Sequence, residues 1–151
     1  MDNAFAFLKQ NGVDTDADYK YTGRDGACQA KKFTPKVKVT GFKDISTNED
    51  EIARVLVENG PLSVAVDASS FQFYAGGIAQ CSYRQLNHGV TLVGYGEDNG
   101  RKFWIVKNSW GTGWGEQGYI RIPRGKGACG INMMVSTSVV AKLWIDECLE
   151  N

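Results

Sequence analysis

Two segments in the first half of the chain carry apolar residues at the spacing of an α-helix. The first helix is predicted over residues 2–11, with Gly12 as its stop signal. The second is predicted from an N-cap within Ser46-Thr47-Asn48-Glu49 through Glu58, and Gly60-Pro61 ends it. Ala4, Phe5, Phe7 and Leu8 lie along one side of the first helix, and Ile52, Val55 and Leu56 are expected to face inward in the second.

The apolar spacing changes toward a period of two after the second helix, which is typical of β-strands. The strands predicted there are Leu62–Asp67, Gly89–Tyr95, Lys102–Lys107, Tyr119–Pro123 and Met133–Val139. An earlier strand is indicated by Val37, Val39 and Phe42, whereas residues 13–35 have little periodicity and are predicted to form a loop. The pattern predicts an α+β chain whose antiparallel sheet curls into a barrel.

A tight turn is predicted at Glu97-Asp98-Asn99-Gly100, since Asn-Gly between two apolar segments is a strong hairpin signal. The turn makes the flanking strands antiparallel neighbours. The start of one strand therefore lies beside the end of the other.

Composition limits the classes of function. The 151 residues suit one domain or one lobe of a two-lobed enzyme, and 17 basic side chains balance 17 acidic ones. With zero net charge and no basic run, neither a nucleic acid nor a membrane is expected as a partner. No apolar run approaches the ~20 residues needed to cross a bilayer, and the amphipathic start of the chain is unlike a targeting segment.

The four cysteines allow three pairings if all of them are bridged. No Cys-x-x-Cys pair occurs and there is one histidine, so no zinc site, other metal site or cofactor is expected. Disulfides formed in an oxidising compartment are the preferred interpretation.

The single histidine, His88, opens one strand of the predicted hairpin, and Asn108 ends the other, twenty positions later. The antiparallel arrangement brings the two side chains together. An imidazole can take the proton of a cysteine thiol, which leaves a nucleophilic thiolate. An Asn carbonyl can hold the other ring nitrogen without adding charge. The pair is therefore a candidate for two members of a Cys-His-Asn triad.

The sequence resembles the papain-like (cathepsin L-type) cysteine proteases from residue 1 to about residue 138. The most specific segments are Asn87-His88-Gly89-Val90, Trp104-Ile105-Val106-Lys107-Asn108-Ser109-Trp110-Gly111 and Gly118-Tyr119-Ile120-Arg121-Ile122. The resemblance implies that His88 is the catalytic base and Asn108 its orienting amide. It also implies that Trp110 shields the His–Asn bond and contributes to substrate binding, that Trp114 supports it, and that Asn87 lies near the substrate main chain.

The resemblance also implies a pocket for the second residue before the scissile bond. Its wall positions fall on Met1, Ala65, Leu86, Gly89 and Met134. Because all of these are apolar or small, we expect a preference for Leu, Phe or Val over charged side chains. A disulfide between Cys81 and Cys129 follows from the same resemblance.

The family's nucleophile lies in a Cys-Gly-Ser-Cys-Trp type segment that would precede residue 1, together with the glutamine of its oxyanion hole. None of Cys28, Cys81, Cys129 and Cys148 stands in such a segment. We therefore expect the chain to be the C-terminal part of an endopeptidase and to be inactive alone. Cys28 matches a cysteine whose partner lies in the missing half, and a Cys28–Cys148 bridge stays open.

By the resemblance, residues 1–36 are a remnant of the helical lobe, residues 37–139 the sheet lobe, and residues 140–151 an atypical tail. Peptide or protein substrates, the missing N-terminal half and inhibitors of the cystatin or propeptide type are the expected partners, and a lysosomal, vacuolar or secreted location is expected. The alternative is a non-catalytic half-domain that binds a partner protein or inhibitor.

Overall fold

The computed structural model describes residues 1–140, and it confirms the α+β class for this part of the chain. The helices and strands are α1 (Asp2–Asn11), β1 (Val39–Ile45), α2 (Glu49–Asn59), β2 (Leu62–Val66), β3 (His88–Asp98), β4 (Arg101–Lys107), β5 (Tyr119–Pro123) and β6 (Val135–Val140). Three short 3-10 helices lie at Ala30–Lys32, Phe71–Phe73 and Ala128–Gly130. Neither α-helix of the described part is long and apolar enough to span a membrane.

The chain divides into two compact units. The larger is Asp44–Thr137, and the smaller consists, among the described residues, of Met1–Lys43 and residues 138–140. The division at residues 36 and 139 that the family resemblance implies stays a prediction. Of the predicted tail, residues 140–151, only residue 140 is described.

The smaller unit contains α1 with the predicted bounds, and Gly12 ends the helix with a φ of 78°. Phe5 and Phe42 stack within this unit with 5.8 Å between ring centroids. The predicted loop is interrupted by one 3-10 turn, and an isolated bridge joins Val13 to Val37. No residue of α1 is buried.

The larger unit begins with α2, which has the predicted cap. The Asn48 side chain accepts hydrogen bonds from the backbone N–H groups of Asp50 and Glu51 at 2.9 and 3.2 Å. Gly60, with a φ of 82°, ends the helix one residue beyond the predicted end. The buried side of the helix consists of Ile52, Ala53, Val55 and Leu56.

The sheet of the larger unit has the order β6-β2-β3-β4-β5, and its neighbouring strands are antiparallel. In the hairpin, Asp98 pairs with Arg101 across Asn99 and Gly100, whose φ values are 50° and 74°. Two consecutive positive φ values are those of a type I′ turn, so the predicted tight turn is confirmed.

Alternate residues of β4 and β5 fill the core. Trp104 and Val106 on β4, and Ile120 and Ile122 on β5, are at most 1% exposed. Each such side chain contributes roughly 1.5–3 kcal/mol through its removal from water. This packed sheet is the rigid support from which the ends of β3 and β4 present their side chains.

Several predicted strand bounds differ from those observed, since β3 runs beyond Gly89–Tyr95 at both ends, β4 begins at Arg101 and β6 ends at Val140. Two further differences have a clear cause. Asp67 leaves β2 because its backbone N–H bonds to the carbonyl oxygen of Cys129, at 2.8 Å, instead of continuing a ladder. Met133 precedes β6, since its N–H closes a turn onto the carbonyl of Gly130 at 2.9 Å. Met133 and Met134 are 51% and 46% exposed.

Candidate active site

His88 and Asn108 meet at one end of the β3–β4 hairpin. His88 is the first residue of β3, and Asn108 follows the last residue of β4. The ring nitrogen Nε2 of His88 lies 2.8 Å from Oδ1 of Asn108. The proximity expected from antiparallel pairing is therefore present, whereas the catalytic roles of the two residues stay predictions.

The orientation of the Asn108 amide is fixed by its neighbour. The backbone N–H of Ser109 donates to Oδ1 of Asn108 at 2.8 Å, so the oxygen and not the NH₂ group faces His88. A carbonyl oxygen can only accept, which places the imidazole hydrogen on Nε2. In the neutral ring, Nδ1 then carries the lone pair that can receive a proton.

The buried Nδ2 of Asn108 has no hydrogen-bond partner among the described residues. Asn108 is 8% exposed, so this unpaired donor carries the cost of desolvation. Unpaired buried polar groups are rare in folded proteins.

A β-bulge changes the pairing of β3 with β4 before the two strands reach His88 and Asn108. The pairing of β3 with β4 shifts by one residue between Leu92 and Gly94, so Val93 is the extra residue. A bulge turns the side chains beyond it and increases local twist. The bulge thus lies between the Asn99-Gly100 turn and the end of the hairpin at which His88 contacts Asn108.

Aromatic rings pack around the imidazole. The ring centroid of Trp110 lies 5.3 Å from that of His88 and 5.1 Å from that of Trp114. The Trp114 indole donates to the carbonyl oxygen of Phe71 at 3.1 Å. Trp110 is 43% exposed, so it covers one side of the imidazole and still offers a surface to a ligand.

An ion pair holds the segment that carries the two tryptophans. Arg121 on β5 donates to both carboxylate oxygens of Glu116, at 2.6–3.2 Å. Gly77 donates its N–H to the same carboxylate at 2.9 Å. The hydrogen bonds from Arg121 lower the pKa of Glu116, whereas burial raises the pKa of Tyr74, whose hydroxyl donates to the Gly77 carbonyl.

The loop before His88 is held by residues that the sequence did not single out. The carboxylate of Asp67 accepts hydrogen bonds from Ser69 and from the backbone of Arg84 and Gln85. Asn87, a predicted substrate-side residue, receives the N–H of Ala68 on its Oδ1 at 2.9 Å. An Asp two residues before a Ser is a known local turn signal, which could have identified half of this arrangement.

Four of the five predicted pocket-wall residues belong to the larger unit. Ala65 and Gly89 are direct partners across β2 and β3, and the Ala65 N–H donates to the Met134 carbonyl at 3.1 Å. Leu86 is half-buried. Met1 belongs to the smaller unit, where its carbonyl accepts the first hydrogen bonds of α1. Their assignment to one substrate pocket stays a prediction.

Two of the four cysteines pair as the family resemblance implies. Cys81 and Cys129 form a disulfide across 48 residues, so that pairing is confirmed. Cys28 is exposed and forms no disulfide with any residue that the structure describes. Cys148, its other conceivable partner, lies outside the described residues.

The chain is similar to known proteins over most of its length. Residues 1–139 match the model of the "Papain family cysteine protease" family. The chain is 44% identical to cysteine proteinase 15A of Pisum sativum, covering 94% of this chain and 42% of that protein. It is 47% identical to a cathepsin L of Sarcophaga peregrina, covering 87% and 41%.

Solved structures show the same fold. A digestive procathepsin L 3 from the larval midgut of Tenebrio molitor has a TM-score of 0.85 at 38% identity, over 93% of this chain and 48% of that one. The bromelain protease of Ananas comosus, solved with the inhibitor E64, has a TM-score of 0.83 at 39% identity, over 92% and 68%. The chain thus spans less than half of both sequence relatives named above.

Proposed function

Because the chain belongs to the papain family of cysteine proteases, we propose that it supplies the general base and the orienting amide of a Cys-His-Asn peptidase. The observation that carries the proposal is the 2.8 Å contact between His88 Nε2 and Asn108 Oδ1, with the amide fixed by Ser109. The nucleophilic cysteine comes from a segment outside these 151 residues, so the chain alone is inactive.

The proposed reaction begins at the free Nδ1 of His88. This nitrogen takes the proton of the thiol, and the thiolate attacks the peptide carbonyl to give a tetrahedral intermediate, which becomes an acyl-enzyme when the C–N bond breaks and the amine leaves. Asn108 holds the ring in place and stabilises the imidazolium through Nε2–H without adding a charge. His88 then returns the proton to the leaving amine, and later activates the water that hydrolyses the thioester.

The proposed substrates are peptides with an apolar residue at the second position before the cleaved bond. Ala65 and Gly89 form a small, flat pair across two strands, and the backbone of Met134 adjoins Ala65. Met134 is 46% exposed, so its thioether can contact a ligand and reduce the depth of the pocket. Leu, Phe and Val side chains fit such an apolar, shallow surface.

The Cys81–Cys129 disulfide supports an oxidising compartment, such as the secretory route to lysosomes, vacuoles or the exterior. Inhibitors of the cystatin or propeptide type are proposed partners, because they occupy the substrate cleft of proteases of this kind. The tryptophan exposed beside His88 is a suitable anchor for such a partner.

The test joins the chain to the N-terminal half of a related papain-family protease as one polypeptide and measures hydrolysis of a Phe- or Leu-containing peptide amide. The chain alone should show no turnover, and the joined protein should show thiol-dependent turnover. His88→Ala should then lower kcat at least about 10²-fold, because general acid–base catalysis is removed.

Val57→Ala is the matched control, since Val57 is 71% exposed on α2 and belongs to no part of the site. Alkylation-sensitive turnover by the chain alone would contradict the missing nucleophile. A joined protein in which His88→Ala retains full activity would contradict the role of the imidazole.

A further inference from the structure

The Asp67 carboxylate is a buried anion that accepts hydrogen bonds from two loops. The residue is 3% exposed. One carboxylate oxygen accepts the N–H and the hydroxyl of Ser69 at 3.1 and 2.6 Å. The other accepts the N–H groups of Arg84 and Gln85 at 2.9 and 3.4 Å. Such bonds to an ionised acceptor are the stronger kind.

These contacts hold the segment that leads into His88. Its beginning is fixed by the disulfide of Cys81 to Cys129, and the carbonyl of Cys129 accepts the Asp67 N–H. Its middle is fixed at Arg84 and Gln85. The segment has no regular structure of its own, so these contacts determine its path.

A second connection runs from Asp67 through Ser69 to Asn87. The Ser69 hydroxyl donates to Asp67 and accepts from Nδ2 of Asn87 at 3.3 Å. The Asn87 backbone N–H donates to the carbonyl of Val66, the residue that pairs with His88 across the strands. Asn87 is adjacent to His88 in the chain, so its backbone orientation sets the starting direction of the imidazole.

The charge of Asp67 suits this role. The hydroxyl of Ser69 and the backbone N–H of Arg84 hold the pKa of the carboxyl well below its ordinary range. The group therefore stays an acceptor for all four donors. A neutral amide in its place would direct an NH₂ group at one pair of those donors.

We propose that Asp67, acting through Ser69 and the backbone of residues 84–87, is the positioning residue that holds the His88 imidazole against Asn108. As a role in catalysis this rests on the proposed function. The positioning itself is a property of the folded chain, so it can be measured where no turnover occurs.

The experiment uses the fact that His88 is the only histidine of the 151 residues, so its imidazole gives one set of NMR signals. The long-range ¹⁵N spectrum of the chain is recorded at rising pH until the ring signals no longer change, so that the neutral ring is compared in every variant. The signals distinguish an imidazole fixed as Nε2–H from one that exchanges between tautomers. The wild-type chain should show the fixed Nε2–H form.

Asp67→Asn should shift both ring ¹⁵N signals toward the average of exchanging tautomers. Ser69→Ala should shift them in the same direction by a smaller amount. Ser69 is exposed, so its removal should leave the thermal midpoint close to that of wild type. If Asp67→Asn does not fold, Ser69→Ala decides the question alone.

Glu49→Gln is the matched control, because it also removes a carboxylate that accepts three hydrogen bonds. These come from the Trp104 indole and the N–H groups of Gly125 and Gly127, at 2.6–2.8 Å, and none involves the loop before His88. Its His88 signals should equal those of wild type. Unshifted signals in the folded Asp67 and Ser69 variants, or an equal shift in Glu49→Gln, would overturn the proposal.

Discussion

The two helices have nearly the same length, 10 and 11 residues, yet they differ in what they bury. Helix α2 buries four residues and begins at an Asn48 side chain that caps it. Helix α1 buries none and has no side-chain cap. Isolated helices shorter than about 12–15 residues are marginal in water, so packing is what stabilises a helix of this size.

The comparison teaches that apolar spacing locates a helix without determining how strongly it is held. Both helices follow from the spacing of their apolar residues. The packing that stabilises α2 comes from a sheet formed by residues much later in the chain. Substitutions in the two helices test this contrast, and the pH dependence of the larger unit tests its carboxylates of lowered pKa, with the largest expected effect first.

Ile52→Ala should lower the free energy of unfolding by about 2–5 kcal/mol, because a side chain that is 1% exposed leaves a cavity in the core. Urea unfolding followed by tryptophan fluorescence measures this, since Trp104, Trp110 and Trp114 all lie in the larger unit. A loss below about 1 kcal/mol would mean that α2 is not packed as described.

Lowering the pH should destabilise the larger unit, which contains two carboxyls of lowered pKa, Asp67 and Glu116. Because the pKa of each is lower in the folded state, their stabilisation is complete above the ordinary carboxyl pKa of about 4 and is lost as the pH falls below it. Unfolding free energies at about pH 5 and about pH 3 measure the loss. Asp67→Asn should reduce this slope, and an unchanged slope would refute the assignment.

Asn48→Ala should cost about 1 kcal/mol, because two N–H groups at the start of α2 lose their acceptor. Asn48→Ser is the control, since a serine hydroxyl can cap the same groups. Thermal unfolding by circular dichroism separates the two variants. Equal midpoints for Ala and Ser would show that the cap contributes nothing.

Phe7→Ala on α1 should change the unfolding free energy by no more than about 0.5 kcal/mol, since Phe7 is 45% exposed in a helix without buried residues. Urea unfolding followed by circular dichroism, to which both helices contribute, measures it beside Ile52→Ala. An effect as large as that of Ile52→Ala would remove the contrast between the two helices.

Local chemistry accounts for what the sequence predicted well. The cap at Asn48, the stops at Gly12 and Gly60, and the Asn99-Gly100 turn each depend on one or two residues and their immediate neighbours. The contact of His88 with Asn108 followed from that turn, because a two-residue loop makes antiparallel partners of the flanking strands.

The parts that escaped prediction depend on bonds between distant residues. The sequence predicts Asp67 as the last residue of a strand. Its hydrogen-bond partners Arg84 and Gln85 stand 17 and 18 positions later, so the residues around Asp67 do not reveal them. The predicted start of β6 is too early, because the Met133 N–H closes a turn onto the carbonyl of Gly130. The Asp67–Ser69 spacing is a local turn signal, but no local pattern reveals the bonds of Asp67 to Arg84 and Gln85.

The single extra residue at Val93 has an evolutionary consequence. Side chains alternate between the two sides of a strand, so a one-residue change in either arm of the hairpin would turn His88 or Asn108 away from its partner. Natural insertions or deletions between the turn and either His88 or Asn108 should therefore come in matched pairs, one in β3 and one in β4. A relative with an odd change in length should gain or lose a bulge to keep imidazole and amide face to face.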